Sequence, residues 1–462
     1  MKFALPKEVK DILNTLKKNK FQAYIVGGSV RDLLLGGKVK DWDFTTSAHP
    51  KQILSLFPNG FYDNKFGTVG VPIEISKIKN QRSKIIIEIT TFRSEFGYSD
   101  HRHPDKIIWG KTLEEDLMRR DFTINAMAYD GEKGKIIDPY KGEEDLKNKI
   151  IRAVRDPNKR FEEDALRIIR AVRFATELAF TIDEQTFAAI KKNAGLLGKI
   201  SGERIRDELT KILQSDYPAD GIQLLRNSSL LSVILPQLEK CFGVPQKSPK
   251  RHHIYDVGTH LLQSLKYCQS HDPIVRLATL LHDIGKPATF KKSEDGLITF
   301  YNHEIISASI VRNIADRFHF SKRDRERMVK LVRFHQFSVD ERQTDSAIRR
   351  FIRNVGLENV EDILALRTAD RLGGGARETS WRLELFKKRL IEVQKQPFTV
   401  ADLKIDGYDV MKIYGIGPGP MVGKVLEMLF NDVARGKLPN ERELLLKRTE
   451  EIKSSLPSLP GT

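Results

Sequence analysis

The stretch "YIVGGSVRDLLLGGKVKDWDFTTSA", Tyr24 to Ala48, carries two carboxylates one residue apart, Asp41 and Asp43, shortly after the glycine pair Gly27 and Gly28. Side chains alternate along an extended chain, so Asp41 and Asp43 leave the same face and repel unless a cation sits between them. Mg2+ suits such a pair, because it is held by one or two carboxylates together with substrate phosphates. Glycines at the mouth of a helix let a triphosphate approach backbone N–H groups, and Arg31, one turn further on, adds a charged donor. Phosphates would sit at the glycine turn and the metal at the strand that follows.

The elements needed to position these groups are legible. Tyr24 to Val26 reads as a strand, Ser29 to Leu35 as a helix closed by Gly36-Gly37, and Trp42 to Thr46 as a second strand. Taken together, "GGSVRD" and "DWDFTT" resemble the signature of the polymerase-β nucleotidyltransferase superfamily. Within it they are most similar to the class II tRNA nucleotidyltransferases, the CCA-adding enzymes, and to their poly(A) polymerase relatives. The resemblance implies metal-dependent nucleotidyl transfer. It extends to "RRDFTINAMA", "EDALR", "SGERIRDELTKIL" and the tail "GIGPGPMVGKVLEMLFNDVARGKLPN".

In "FEEDALRIIRAVRF" a helical period aligns Asp164, Arg167, Arg170 and Arg173 on one side, with Leu166, Ile169 and Val172 on the other. Cytosine and adenine share an edge in which an amine donates and the adjacent ring nitrogen accepts. A carboxylate only accepts and a guanidinium only donates, so Asp164 and Arg167 would accept C and A and reject U and G. By carry-over from the family, Gly28, Arg31, Arg120, Asp164, Arg167, Arg170 and Arg173 contact the nucleotide, with Gly27 at the same turn. Asp41 and Asp43 bind the metals. Heads of this type use a third acidic group to activate the attacking hydroxyl, and Glu88 in "KIIIEITTFR" alternates with Ile87 and Ile89, so it can face the metals.

A second constellation lies further along the chain: His260, then His282-Asp283 in "LLHDIGKP", then His303, His335 and Asp370. Adjacent His and Asp place an imidazole and a carboxylate in one coordination sphere, which His260 and Asp370 can complete from neighbouring helices. Such mixed ligands suit Mn2+, Fe2+, Ni2+ or Zn2+, and Mg2+ less well. The order His, His-Asp, Asp resembles the HD phosphohydrolase superfamily, with His303 and His335 as further candidate ligands. That resemblance implies hydrolysis of a 2′,3′-cyclic phosphate or a 3′-phosphate, which would restore the hydroxyl extended by the head.

The 462 residues include 78 Lys+Arg against 62 Asp+Glu, a net charge of +16 that favours a polyanionic partner, with nucleic acid first. Only two cysteines occur, Cys241 and Cys268, which argues against a disulfide framework or a cysteine zinc site. With no long apolar run, the expectation is a soluble cytoplasmic protein without membrane contact. The fold expected is multidomain α+β: a polymerase-β-like α/β head (1–140), then an all-helical neck (141–245), HD domain (246–375) and tail (376–462). One helix is expected over 157–178 and another over "LEEDLMRRDFTINAMAYD". The segment from Arg93 to Trp109 reads as a mobile loop, and the last dozen residues as frayed. The function expected is CCA addition to the tRNA acceptor arm from CTP and ATP, with Mg2+ in the head and a second divalent metal in the HD site. Rival readings are a poly(A) polymerase, an enzyme adding only CC or only A, and an HD phosphohydrolase with a binding-only head. The sequence is silent on oligomeric state.

Overall fold

Val9, Ile12, Leu13 and Leu16 recur at helical spacing, and all four are buried on helix α1 (Lys7–Lys18), which covers one face of the head's sheet. The computed structural model describes residues 2–39, 41–62, 67–77, 81–96, 106–109, 112–246, 254–337, 340, 342–394, 400–435 and 437–455. The head is built on strands β1 (Ala23–Val26), β2 (Asp43–Thr46), β3 (Phe61–Tyr62), β4 (Thr68–Lys77) and β5 (Gln81–Thr91). A ribbon of β6 (Arg93–Phe96) and β7 (Lys106–Trp109) follows, then β8 (Ala128–Asp130) and β9 (Lys135–Ile137). Seven strands form one mixed sheet in the order β3-β4-β5-β2-β1-β8-β9, in which β2 and β5 run parallel. Ile25, Phe44, Ile87 and Ile89 point to the α1 side, whereas Val26 and Ala128 pack on the other face against Leu113 and Leu117.

Three local expectations are corrected. The helix that begins at Leu113 is short, α3 (Leu113–Met118), with α2 (Gly28–Leu34) preceding it in the chain. Beyond Met118, Thr123 N–H donates to Arg152 O at 2.9 Å and Ala128–Asp130 forms β8. The unpaired backbone edge of β1 claims this segment as a strand, and a buried edge outweighs the helical preference of "INAMAYD". The ends of the segment 93–109 are not loop: β6 and β7 pair antiparallel from Arg93↔Trp109 to Phe96↔Lys106. Residues 97–105 lie outside the described residues. The last helix runs to Ser455, so the last dozen residues are ordered at their start.

After the head the described residues are mainly helical, with two short pairings among them, Ile150–Ile151 with Thr181–Ile182 and Lys291–Lys292 with Ile298–Thr299. The expected helix over 157–178 is broken into α4 (Pro157–Glu163) and α5 (Leu166–Leu178). Asp164 adopts φ −136° and ψ 103°, and its Oδ1 accepts from Leu166 N–H at 3.1 Å. A short acidic side chain competes for a free N–H better as a cap than as a helix interior residue.

Helix α6 (Gly202–Gln214) packs on α5, and the second helical unit contains α7 (Val257–Lys266), α8 (Pro273–Leu281), α9 (His303–Arg317), α10 (Lys322–Arg333) and α11 (Val360–Gly373). Buried apolar residues from Phe122 to Val393 form one continuous cluster. Arg276, almost wholly buried, donates to Leu213 O at 2.6 Å and Ser215 O at 2.7 Å, tying the end of α6 to α8. The tail from Leu403 to Ile452 has its own core, and the buried Arg349 joins it to the rest by donating to Ala434 O.

Candidate active sites

In the head, β1 ends at Val26 and Gly27 turns the chain into α2 with φ +68°, a conformation that favours glycine. A Cβ at Gly27 would lie 2.8 Å from Arg120 Nη1 and 3.6 Å from Asp43 Oδ2, so the turn also needs to be bare for Arg120 and Asp43 to converge above it. Ser29, buried at the start of α2, donates from Oγ to Asp41 O at 3.0 Å and accepts from Asp43 N–H at 2.9 Å. This clamp sets the two carboxylates at the mouth of β2. Glu88 is the register partner of Asp43 on β5, and it is exposed between buried Ile87 and Ile89, as alternation requires.

Burial pushes the Asp43 carboxyl up to about 6; Arg120 opposes the rise, while Glu88 and Asp41 add to it. Three mutually repelling carboxylates at one end of a sheet, all oxygen donors, fit a hard divalent cation such as Mg2+. Arg120 is braced by the fully buried Asp116 at 3.3 Å, and Arg31 donates to Asn125 Oδ1 at 2.9 Å. Ser29, Asp116 and Asn125 escaped the sequence reading; the only signal was their position inside or beside "GGSVRD" and "RRDFTINAMA".

The neck arginines are held by protein partners. Arg167 donates to Glu163 Oε2 at 2.8 Å and to Arg119 O at 2.9 Å, and Asp164 lies 3.5 Å from Arg204 Nη2 on α6. Arg170 meets Asp121 at 2.6 Å, and Arg173 meets Glu208 at 2.6 Å and Glu177 at 3.0 Å. Burial opposes charge on Asp121, but Arg170 holds its carboxyl down at about 2. Arg31 from the head and Arg170 and Arg173 from the neck all lie over the Phe174 ring, at 5.4, 5.3 and 3.9 Å from its centre. The arginine-rich face of α5 therefore meets the head beside the glycine turn, and Asp164 reaches it from the break before the helix rather than from a helical turn.

In the second unit the expected residues converge. His260 comes from α7, His282 and Asp283 from the end of α8, His303 from the first turn of α9, His335 from just beyond α10, and Asp370 from the last turn of α11. His260 Nε2 is 3.2 Å from both His282 Nε2 and Asp370 Oδ1. His282 Nε2 is 3.3 Å from Asp283 Oδ2, and His303 Nε2 is 3.0 Å from Asp283 Oδ1. Burial opposes charge on Asp283, yet Lys286 and His282 hold its carboxyl well below the usual carboxylate range, and Asp370 is held low in the same way by His260 and His282. Buried imidazoles and ionised carboxylates within one shell fit a borderline divalent cation such as Mn2+, Fe2+ or Ni2+.

The cluster opens into a cleft of about 420 Å³ whose lining includes Lys286, Tyr301, Asn302 and Arg367. Lys286 Nζ sits 2.5 Å from Asp283 Oδ2, and Arg367 Nη1 sits 3.1 Å from Asp370 Oδ2, which gives the cleft cationic donors for an anion. Both were missed in the sequence, although Lys286 stands one turn after the His-Asp pair.

Comparison with known proteins fits both the head and its extension. Residues 23–152 match the model of the poly A polymerase head domain, 179–242 that of a probable RNA and SrmB-binding site of polymerase A, and 289–448 that of tRNA nucleotidyltransferase domain 2. The CCA-adding enzyme of Ligilactobacillus salivarius is 32% identical over 451 residues, covering 97% of this chain and 98% of that protein. The chain belongs to the CCA-adding enzyme family.

Another member, from Streptococcus mutans, is 32% identical over 96% of this chain and 97% of its own length. Among solved structures, the Bacillus stearothermophilus CCA-adding enzyme in complex with CTP superposes with a TM-score of 0.70 at 29% identity, covering 97% of this chain and 98% of that one. The Thermotoga maritima CCA-adding enzyme complexed with tRNA shares the fold, with a TM-score of 0.60 at 21% identity over 97% and 96% of the two chains. The expected α+β architecture and the class II assignment both hold. No helix among the described residues is long and apolar enough to cross a membrane.

Proposed function

We propose that the protein adds CCA to the 3′ end of tRNA from CTP and ATP, and that the His-Asp cluster is a phosphohydrolase that prepares damaged ends for this addition. The observation that carries the first part is the placement of Asp43 opposite Glu88 on paired strands, with Asp41 beside it and Arg120 above the Gly27 turn. In this reading Asp41 and Asp43 hold Mg2+, which supplies charge neutralisation for in-line displacement. The tRNA 3′-oxygen attacks the α-phosphorus, the bond to the bridging oxygen breaks, and pyrophosphate leaves. Glu88 accepts the hydroxyl proton, and Arg31 and Arg120 orient the phosphates. Asp164 and Arg167 read the base, Arg170 ties the reading helix to Asp121 of the head, Arg173 ties it to Glu208 on α6, and positioning supplies most of the rate. The segments 1–140, 141–245, 246–375 and 376–462 serve as head, neck, hydrolase and tail, with the positive charge of neck and tail directed to the acceptor arm of tRNA in the cytoplasm.

The second part rests on the four imidazoles and two carboxylates, those of Asp283 and Asp370, that meet beside a cationic cleft. His260, His282, Asp283 and Asp370 would hold a divalent metal such as Mn2+, Ni2+, Fe2+ or Mg2+, which activates water when bound. Water adds to the phosphorus of a 2′,3′-cyclic phosphate, one P–O bond to the ribose breaks, and that oxygen takes a proton. A second water then adds to the phosphorus of the remaining monoester, the P–O bond to the ribose breaks, that oxygen takes a proton, and inorganic phosphate leaves a free 3′-hydroxyl.

The test is incubation of the protein with Mg2+ and tRNA lacking its 3′ end, with CTP and ATP singly and together, resolved at single-nucleotide length beside an Asp41→Ala/Asp43→Ala control. CC with CTP alone and CCA with both, lost in the control, is the expected result. A long A tail would instead indicate a poly(A) polymerase, addition of only CC or only A a split activity, and no addition would leave the hydrolase as the main activity.

A further inference from the structure

We infer that Tyr301 is a specificity-determining residue of the cleft in the second unit. Its ring stacks on the base of a nucleotide whose phosphate lies at the cationic floor, so the cleft takes a terminal nucleoside phosphate in preference to a simple phosphate ester. The inference deepens the hydrolase reading and rests on it. Its ground is the polarity of the cleft. At the inner end Lys286 is buried beside Asp283, and Arg367 pairs with Asp370 while its own buried Nε makes no hydrogen bond. At the outer end Tyr301 is 73% exposed, next to the buried Phe300. The cations lie at the floor and the open aromatic surface at the lip.

The backbone that carries this exposed ring is held on both sides. Phe290 precedes and Phe300 follows the strand pair of Lys291–Lys292 and Ile298–Thr299, and their rings meet with centres 5.9 Å apart. Lys286 Nζ stands 5.3 Å from the centre of the Phe300 ring, which anchors this pair to the floor of the cleft. Beyond Tyr301, Asn302 takes φ +61°, a left-handed conformation in which asparagine is enriched, and stands at the N-cap of α9. His303 closes the turn, with its backbone N–H 3.3 Å and its Nδ1 2.7 Å from Phe300 O. Tyr301 is therefore pinned at the mouth of the cleft with its side chain in solvent. Among the described residues its ring has no ring or cation partner and its hydroxyl no hydrogen bond.

A tyrosine ring left in water at a fixed turn forgoes the burial that ordinarily stabilises so large a side chain. A nucleobase supplies that burial, because every base has a π face, and such stacking is tolerant of base identity. A phosphate ester without a base reaches the cationic floor but gains nothing from the lip. The cleft is matched to a flat ring joined through a sugar to an anion, which is the make-up of the nucleotide at an RNA 3′ end.

The test compares adenosine 2′,3′-cyclic phosphate with glycerol 1,2-cyclic phosphate, which carries the same cyclic ester and no base. Hydrolysis of each by the full-length chain, with Mn2+ or Ni2+ added, is followed by phosphorus NMR. The ratio of the two kcat/KM values is taken within one preparation, where the fraction of folded chain cancels. The ratio is expected to favour the nucleotide and to fall by about tenfold or more in Tyr301→Ala, through KM, while Tyr301→Phe retains it. A second readout needs no turnover. In Tyr301→Trp, adenosine 3′-phosphate is expected to quench tryptophan fluorescence beyond any quenching in the parent, and glycerol phosphate is not. A parent ratio of about one, a ratio unmoved in Tyr301→Ala, or no added quenching in Tyr301→Trp would overturn the role of Tyr301 and leave the hydrolase reading intact. No hydrolysis of either ester by the parent would overturn both.

Discussion

The carboxylate cluster of the head and the His-Asp cluster of the second unit are built by opposite means. In the head, Asp41 and Glu88 are exposed at the end of an open sheet, and burial pushes the Asp43 carboxyl up to about 6. In the second unit, His260, His282, Asp283, His303 and His335 are buried, and each of the four imidazoles has its Nε2 3.0 to 3.5 Å from an oxygen of Asp283. The head therefore resembles half a site, to be completed by substrate phosphates and their metal, and such a site must stay open to a long polymer. The second unit is an enclosed set of imidazoles and carboxylates that borders a cleft.

The comparison breaks most sharply if the sites are not independent. In Asp41→Ala/Asp43→Ala, nucleotide addition is expected to fall by about 1,000-fold or more, with hydrolysis of 2′,3′-cyclic nucleotide unchanged; a gel assay and a phosphate-release assay on the same preparation check this. The converse, His282→Ala, is expected to lower that hydrolysis by about 100-fold or more while CCA addition stays within about twofold. A drop in both activities in either variant would mean that the clusters share one function.

A smaller effect sharpens the account of the head. Asp164→Ala is expected to cost about 1–3 kcal/mol of discrimination, seen as UTP and GTP competing with CTP and ATP in single-turnover addition. The joint between head and neck is testable through pH. Arg170 holds the Asp121 carboxyl at about 2, below its ordinary 3.8, so the pair contributes stability above about pH 4 and loses it as pH falls toward 2. Asp121→Asn is therefore expected to lower stability by about 2 kcal/mol at pH 7, and the difference from the parent in thermal melting should close as pH falls through that window. The smallest effect is expected for Ser29→Ala. Losing the clamp on Asp41 and Asp43 should lower kcat by about tenfold with KM for CTP little changed, since a positioning residue acts through the carboxylates and does not bind the nucleotide.

Much of each site was legible in advance. Alternation around Ile87 and Ile89 placed Glu88 on the opposite face from these two, where it stands in register with Asp43, and the order of histidines and aspartates marked the second cluster. What escaped was the protein's own bracing: the hydroxyl of Ser29 between two aspartates, and Lys286 and Arg367 at the cleft. These residues carry no motif of their own, because their role comes from neighbours distant in sequence. Helix boundaries failed where a partner elsewhere made a better offer than the local propensity, as at β8 beside β1 and at Asp164 capping α5.

By itself the sequence determined the local periodicities: which face of α1 is apolar, which side of β2 and β5 bears carboxylates, and that glycine stands where φ is +68°. These follow from backbone geometry, which a few neighbouring residues suffice to specify. The tertiary structure alone decided that β5 lies parallel to β2 with Glu88 opposite Asp43, and that Asp283 turns one oxygen to each pair of histidines. Those pairings join residues tens of positions apart, and only the packing of whole helices and strands sets distances of that kind.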